Sequence, residues 1–171
     1  MRTIRRSLLL GWTLGAFVTV ALTVQAQAPN PLSGTWKFNA AKSKYDPSSL
    51  ALKSNTITYI IVGDTIQAVT DGLDARGRAT HTEYTARFDG RTYPGKFLLG
   101  GKPNPDQDGV MWTKIDNNTY ETTTMLKGRP LVTSRIVVAP DGKSRTTIQT
   151  GKNAQGQTIN NTVVYDRVSA T

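Results

Sequence analysis

Histidine occurs once among the 171 residues, at His81, and cysteine does not occur at all. Glu83 and Arg87 follow His81 at even spacing. Residues two apart on a strand share a face at about 7 Å, so an imidazole, a carboxylate and a guanidinium stand in one row. Such a row can share a proton or a metal ion, or it is a solvated polar strip, and the strip is the reading adopted here. No second imidazole exists for a three-histidine metal site, and no Gly-x-Ser-x-Gly elbow accompanies the histidine as the base of a nucleophilic triad. Asn104, Asp106, Asp108 and Gly109 occupy positions one, three, five and six of a calcium loop, but position twelve is Ile115, where a bidentate glutamate is required. Without cysteine there is no thiol catalysis, zinc–thiolate site or iron–sulfur cluster. Glutamate appears only at Glu83 and Glu121, which gives no support to a paired-carboxylate site. No glycine-rich phosphate loop is present. The basic residues are dispersed, without the interleaved aromatics of a single-strand nucleic-acid binder. The sequence therefore assigns no catalytic residue, no metal, no cofactor and no nucleic-acid partner.

The elements that would position these residues are strands. β-Branched and aromatic residues alternate with polar ones, chiefly threonine, and the runs are punctuated by Gly, Asp and Asn. Strands are expected at 34–39, 55–62, 65–71, 79–88, 91–93 with 96–98, 110–115, 119–126, 131–139, 144–150 and 158–167. The links between them are short and turn-like, so neighbours are antiparallel. An antiparallel up-and-down meander of about 8–10 strands removes its edges by closing into a barrel, with a two-layer β-sandwich as the runner-up. Residues 40–52, with Pro47, are expected to form a loop or one short helical turn. Residues 99–109 read as the longest structureless link, the kind of loop that often carries function.

Arg2, Arg5 and Arg6 precede an uncharged apolar run that ends in Val24-Gln25-Ala26-Gln27. This is the pattern of a secretory signal peptide, expected to be cut after Ala26. Residues 27–171 then form one domain with no transmembrane segment, exported to the periplasm or the medium. The signal removes three of the 21 basic residues and none of the 12 acidic ones, leaving 18 against 12, a net charge of +6. In an exported chain that charge suits an anionic envelope glycan or lipid better than nucleic acid.

Alternation also sorts the faces. Tyr84, Ala86 and Phe88 look inward from the fourth strand while His81, Glu83, Thr85 and Arg87 look outward. Ile57, Tyr59, Ile61, Ile66, Ala68, Trp112, Tyr120, Val132, Ile136, Val138, Ile148, Val163 and Tyr165 are the other inward candidates. Thr122 and Thr124 share the face of Tyr120, and Ser134 shares that of Ile136. A barrel lined this way is either a filled core or a container for one small amphiphilic ligand. In the container, Tyr59, Tyr84, Trp112 and Tyr120 would wall the pocket, and Arg135 or Arg87 would meet an anionic end near the mouth.

Gly34-Thr35-Trp36 at the start of the first strand resembles the Gly-x-Trp signature of lipocalins and their calycin relatives. In that family the tryptophan plugs one barrel end and stacks on an arginine of the last strand, a part the resemblance gives to Arg167. The longer runs 34–39, 42–45, 88–90 with Tyr93-Pro94, and 164–167 are similar to a family of small exported bacterial lipocalin-like proteins. This likeness spans nearly all of residues 27–171 and implies a small β-barrel without implying a particular ligand. The middle lipocalin signature is not evident, and the strand count is nearer ten than eight.

Overall fold

Threonine, valine, isoleucine and the aromatic residues hold most of this chain in extended form, and the turns between the runs are tight. The computed structural model describes residues 29–170; the expected signal segment and the expected start at Gln27 lie outside the described residues. The strands are β1 (Gly34–Phe38), β2 (Ser54–Val62), β3 (Thr65–Leu73), β4 (Ala79–Arg87), β5 (Asp89–Leu99), β6 (Lys102–Pro103), β7 (Gly109–Lys114), β8 (Thr119–Leu126), β9 (Arg129–Val138), β10 (Ser144–Lys152) and β11 (Thr158–Ser169). Each pairs antiparallel with its neighbour, and β1 pairs with both β2 and β11. The result is an all-β meander closed into a ten-stranded barrel, with the two-residue β6 attached to the end of β5. Closure excludes the sandwich. Two single 3-10 turns, Ala40–Lys42 and Ser48–Leu50, occupy the segment after β1. Among the described residues no helix is long and apolar enough to cross a membrane.

Two expectations change. The link over 99–109 is not structureless, since β6 folds back on Leu98 and Leu99. The broken strand expected at 91–98 is one continuous β5 that changes partners: its first half pairs with β7, and from Gly95 onward it pairs with β4. Pro94 lacks a backbone donor and sits at this switch. At Gly95 the β4 backbone comes so close that a Cβ would stand 2.7 Å from the Tyr84 Cβ and 2.8 Å from the Glu83 carbonyl oxygen. A side chain there would prise open the β4–β5 seam.

The chain crosses one end of the barrel before entering it. Leu32 is fully buried, and the Trp36 indole donates to its carbonyl at 2.8 Å. The Tyr120 hydroxyl lies 2.7 Å from Asn30 Oδ1, which also accepts from the Leu32 amide at 2.9 Å. Arg167 stacks on the Trp36 ring with its guanidinium carbon 4.1 Å from the centroid. The same guanidinium donates to the carbonyls of Pro31, Ser33 and Gly142, so one side chain ties the entering segment, the last strand and the β9–β10 turn together. Above this plug, Phe88, Trp112, Tyr120 and Tyr59 interlock at centroid separations of 5.6–6.1 Å. Edge-to-face and tilted pairs of this kind add about 0.5–1.5 kcal/mol each beyond area burial.

Gly34 stands where β1 enters this end. Its φ is +121°, and a Cβ would meet Arg167 Nη1 at 2.6 Å as well as the Ser169 carbonyl. Gly34→Ala should therefore lower unfolding stability by more than about 1 kcal/mol, measured by urea denaturation. An unchanged midpoint would show that this end tolerates a side chain.

Candidate functional site

The interior divides by height. The end next to Trp36 is filled, whereas the half toward the opposite, open end holds a cavity of about 150 Å³ that is partly open to solvent. Six hydroxyl side chains line it: Thr70, Thr82, Thr122, Thr124, Ser134 and Thr147. Tyr59, Tyr84, Trp112 and Tyr165 supply aromatic wall, Ile57, Val110, Ile136 and Val163 supply aliphatic wall, and Gln107 and Gln149 add amide groups. One lining residue is charged, Arg145.

Arg145 is 1% exposed. It points inward because it sits opposite Val138 of β9 and Tyr165 of β11, and directly paired residues lie on the same face of a sheet. Its Nη1 donates to Thr147 Oγ1 at 2.9 Å, while its Nε and Nη2 have no hydrogen-bond partner. No carboxylate lines the cavity beside it. The guanidinium is instead surrounded by π-faces: Tyr165 at 3.9 Å, Tyr59 at 5.5 Å and Trp36 at 5.6 Å from ring centroid to carbon. Cation–π contacts of this kind are worth about 2 kcal/mol or more when desolvated, which accounts for the charge being held there without an acid.

The hydroxyls belong to a partly connected network. Gln149 Nε2 reaches Ser134 Oγ at 3.4 Å, Asn161 Nδ2 donates to Gln149 Oε1 at 3.0 Å, and Asn161 Oδ1 accepts from the Asp46 amide at 2.9 Å. The Trp112 indole donates to the Tyr84 hydroxyl at 3.1 Å, which fixes both rings in the wall. Over the mouth, Asp106 accepts from Gln155 Nε2 at 3.0 Å, joining the 99–109 link to the β10–β11 turn, with Gln107 beside it facing the cavity. Asn104 Oδ1 accepts from the Asp106 amide and Asp108 Oδ2 from the Lys127 amide, so the oxygens of the calcium-like spacing serve turn and loop bonds.

The sequence-derived wall residues fall in two places. Tyr59, Tyr84 and Trp112 line the cavity, but Tyr120 lies at the closed end with its hydroxyl on Asn30. Arg135 is exposed on the outer face opposite Glu121, and Arg87 is exposed and paired with Asp64 at 2.8 Å. Neither reaches the interior. Ile148, expected inward, is 44% exposed. Its strand is reversed relative to that expectation, and the reversal is what turns Arg145, Thr147 and Gln149 into the barrel. The signal that locates them is the register imposed by the Pro140-Asp141-Gly142 turn: if Val138 faces inward, its pair Arg145 must too. His81 faces outward with Glu83, as the alternation indicates, and its Nδ1 lies 2.8 Å from Asp71 Oδ1, a partner on β3 that spacing along one strand does not reveal.

No family model matches this chain, and no curated protein matches it.

Burial, the largest cause throughout, shifts all six phenols upward. Tyr165 is pushed up to about 12 against the lowering pull of Arg145. The folded chain thus holds these protons more tightly than the unfolded one, where tyrosine titrates near 10. Stability is complete below about pH 10 and falls as pH rises from there through about 12. In an alkaline titration, tyrosinate absorbance should appear together with loss of the strand circular dichroism. Six phenols titrating near 10 with the barrel intact would contradict this.

Arg145→Met provides a second check. The substitution removes a buried charge with two unpartnered donors and leaves a side chain of similar length against the rings. Replacing buried charged groups by well-packed apolar ones of similar volume is often neutral or stabilising, here set against the loss of the cation–π contacts, so the thermal midpoint should hold or rise. A drop of several degrees would make Arg145 a structural residue.

Proposed function

We propose that this chain is an exported, lipocalin-like binding protein that carries one small, partly apolar molecule inside its barrel. The observation that supports the reading is the cavity itself: hydroxyl and amide groups on one part of its wall, aromatic and aliphatic surface on the rest, beneath a mouth spanned by a polar loop. A ligand site of this composition takes an amphiphile, since the apolar wall supplies affinity and the few polar groups fix orientation. At about 150 Å³ it is smaller than the roughly 300–1,000 Å³ of sites for drug-sized ligands, so the cargo is a compact molecule rather than a long-chain lipid. The Gly-x-Trp entry with its last-strand arginine supports the lipocalin-like reading, and the basic, apolar N-terminal pattern supports export to the periplasm or the medium.

The alternative is a filled barrel whose basic, threonine-rich outer face meets an anionic envelope glycan or lipid. The mature charge of +6 supports it and the cavity argues against it. Native mass spectrometry of the protein from its own export compartment separates the two. The container reading predicts the mass of residues 27–171 plus one small molecule that dissociates on activation. A bare mass, with retention on anionic glycan or lipid that falls with salt, would transfer the weight to the surface reading.

A further inference from the structure

We infer that the molecule held in this cavity presents a single carboxylate, which docks on Nε and Nη2 of Arg145. The inference rests on the container reading and names the chemistry of that site. Three features carry it.

The first is the unsatisfied fork. Nε and Nη2 lie on one side of the guanidinium, and their N–H groups run parallel. Neither has a hydrogen-bond partner and neither is open to the cavity as it stands, on a residue that is 1% exposed and lines the cavity, so docking requires the guanidinium to turn from beneath the Tyr165 and Tyr59 rings that cover it. Arginine cannot shed its proton to escape the situation. A pair of acceptor oxygens held in one plane satisfies both donors at once, the geometry for which carboxylate and guanidinium are matched.

The second is charge and size. The cavity lining holds one positive charge and no negative one. A monoanion is neutralised there, whereas a doubly charged phosphate would leave one negative charge stranded in the barrel. The volume of about 150 Å³ admits a short body, and Thr82, Thr122 and Ser134 can pair a hydroxyl or oxo group on it. The ligand class is therefore a compact monocarboxylate, plain or hydroxylated.

The third is the field at the mouth. The open-end segments 39–53, 74–78, 100–108, 127–129 and 152–157 carry nine Lys or Arg against four Asp. The closed-end segments 63–64, 87–91, 114–118 and 139–143 carry four of each. The excess positive charge thus surrounds the mouth above Arg145, where it raises the arrival rate of anions in a salt-dependent way.

The test compares matched probes on the exported protein: propionate, lactate and benzoate against propionamide, lactamide and benzamide, with chloride and phosphate as inorganic anions. Binding is followed by the fluorescence of Trp112, which lines the cavity, and by the NMR shift of the Arg145 Nε–H. At least one carboxylate should bind tenfold or more tightly than its amide, move the Arg145 Nε–H resonance and lose binding in Arg145→Met. An amide that binds as well as its acid, or chloride or phosphate that binds as well as the carboxylates, would overturn the carboxylate assignment while leaving the container reading standing. A carboxylate that binds without moving the Arg145 resonance would do the same. No response to any acid or amide, with a bare native mass, would overturn both. The comparison of acid with amide uses the unmodified chain, so it decides the matter even if the variant does not fold.

Discussion

A ten-stranded sheet loses its edges only where its first and last strands meet, and here that meeting is organised around Arg167. β1 is five residues long and must hold both β2 and β11. Its pairing with β11 is shifted between Thr35 and Trp36, so the ladder alone is imperfect at that point. The guanidinium of Arg167 bridges the defect, stacked on Trp36 and bonded to three backbone carbonyls, two in the entering segment and one in the β9–β10 turn. Gly34 exists at the entry because the arginine and the β11 backbone leave no space for a Cβ. With no disulfide in the chain, this polar knot and the packed aromatics beneath it take the place of a covalent tie.

Sealing one end has a consequence for the other. Leu32, Trp36 and Tyr120 fill the plug and are fully buried, whereas threonines and Ser134 join the aromatic and aliphatic wall toward the mouth. The interior therefore passes from close packing to a polar cavity along one barrel axis. Arg145 sits at the boundary, touching Trp36 of the closed end and Thr147 of the open one. Two donors of this buried cation have no hydrogen-bond partner, and departures of this kind from a consistently satisfied core concentrate at functional or strained sites.

The strands, their antiparallel order and the barrel were legible in the alternation of Thr, Val, Ile and aromatic residues. So were the inward positions of Tyr59, Tyr84 and Trp112, because each shares its face with other apolar groups. The centre of the site was not legible by the same rule. In β10 the one large apolar residue is Ile148, and hydrophobic sorting places it inside. A shift of one residue exchanges the two faces of a strand, so that choice sends Arg145, Thr147 and Gln149 outward. The protein does the reverse: it spends Ile148 on solvent, opposite Arg135 of β9, to keep a polar row within. Periodicity presumes an apolar interior and fails where the interior is polar. Pairing across the β9–β10 turn makes no such presumption, and it identifies Arg145 from Val138. The change of partners at Gly95 was hidden for a different reason, since it depends on β4 and β7 approaching from two sides, which spacing along β5 does not encode.

The most direct test of the account is the electron density beside Arg145 in crystals of the protein purified from its native source. The account predicts a planar group with two oxygens within about 3 Å of Nε and Nη2, continuous with a short body lying among Thr82, Thr122 and Trp112. A glutamate or aspartate of the chain turned inward onto Arg145, or side chains packed across the cavity so that no such group fits, would contradict it.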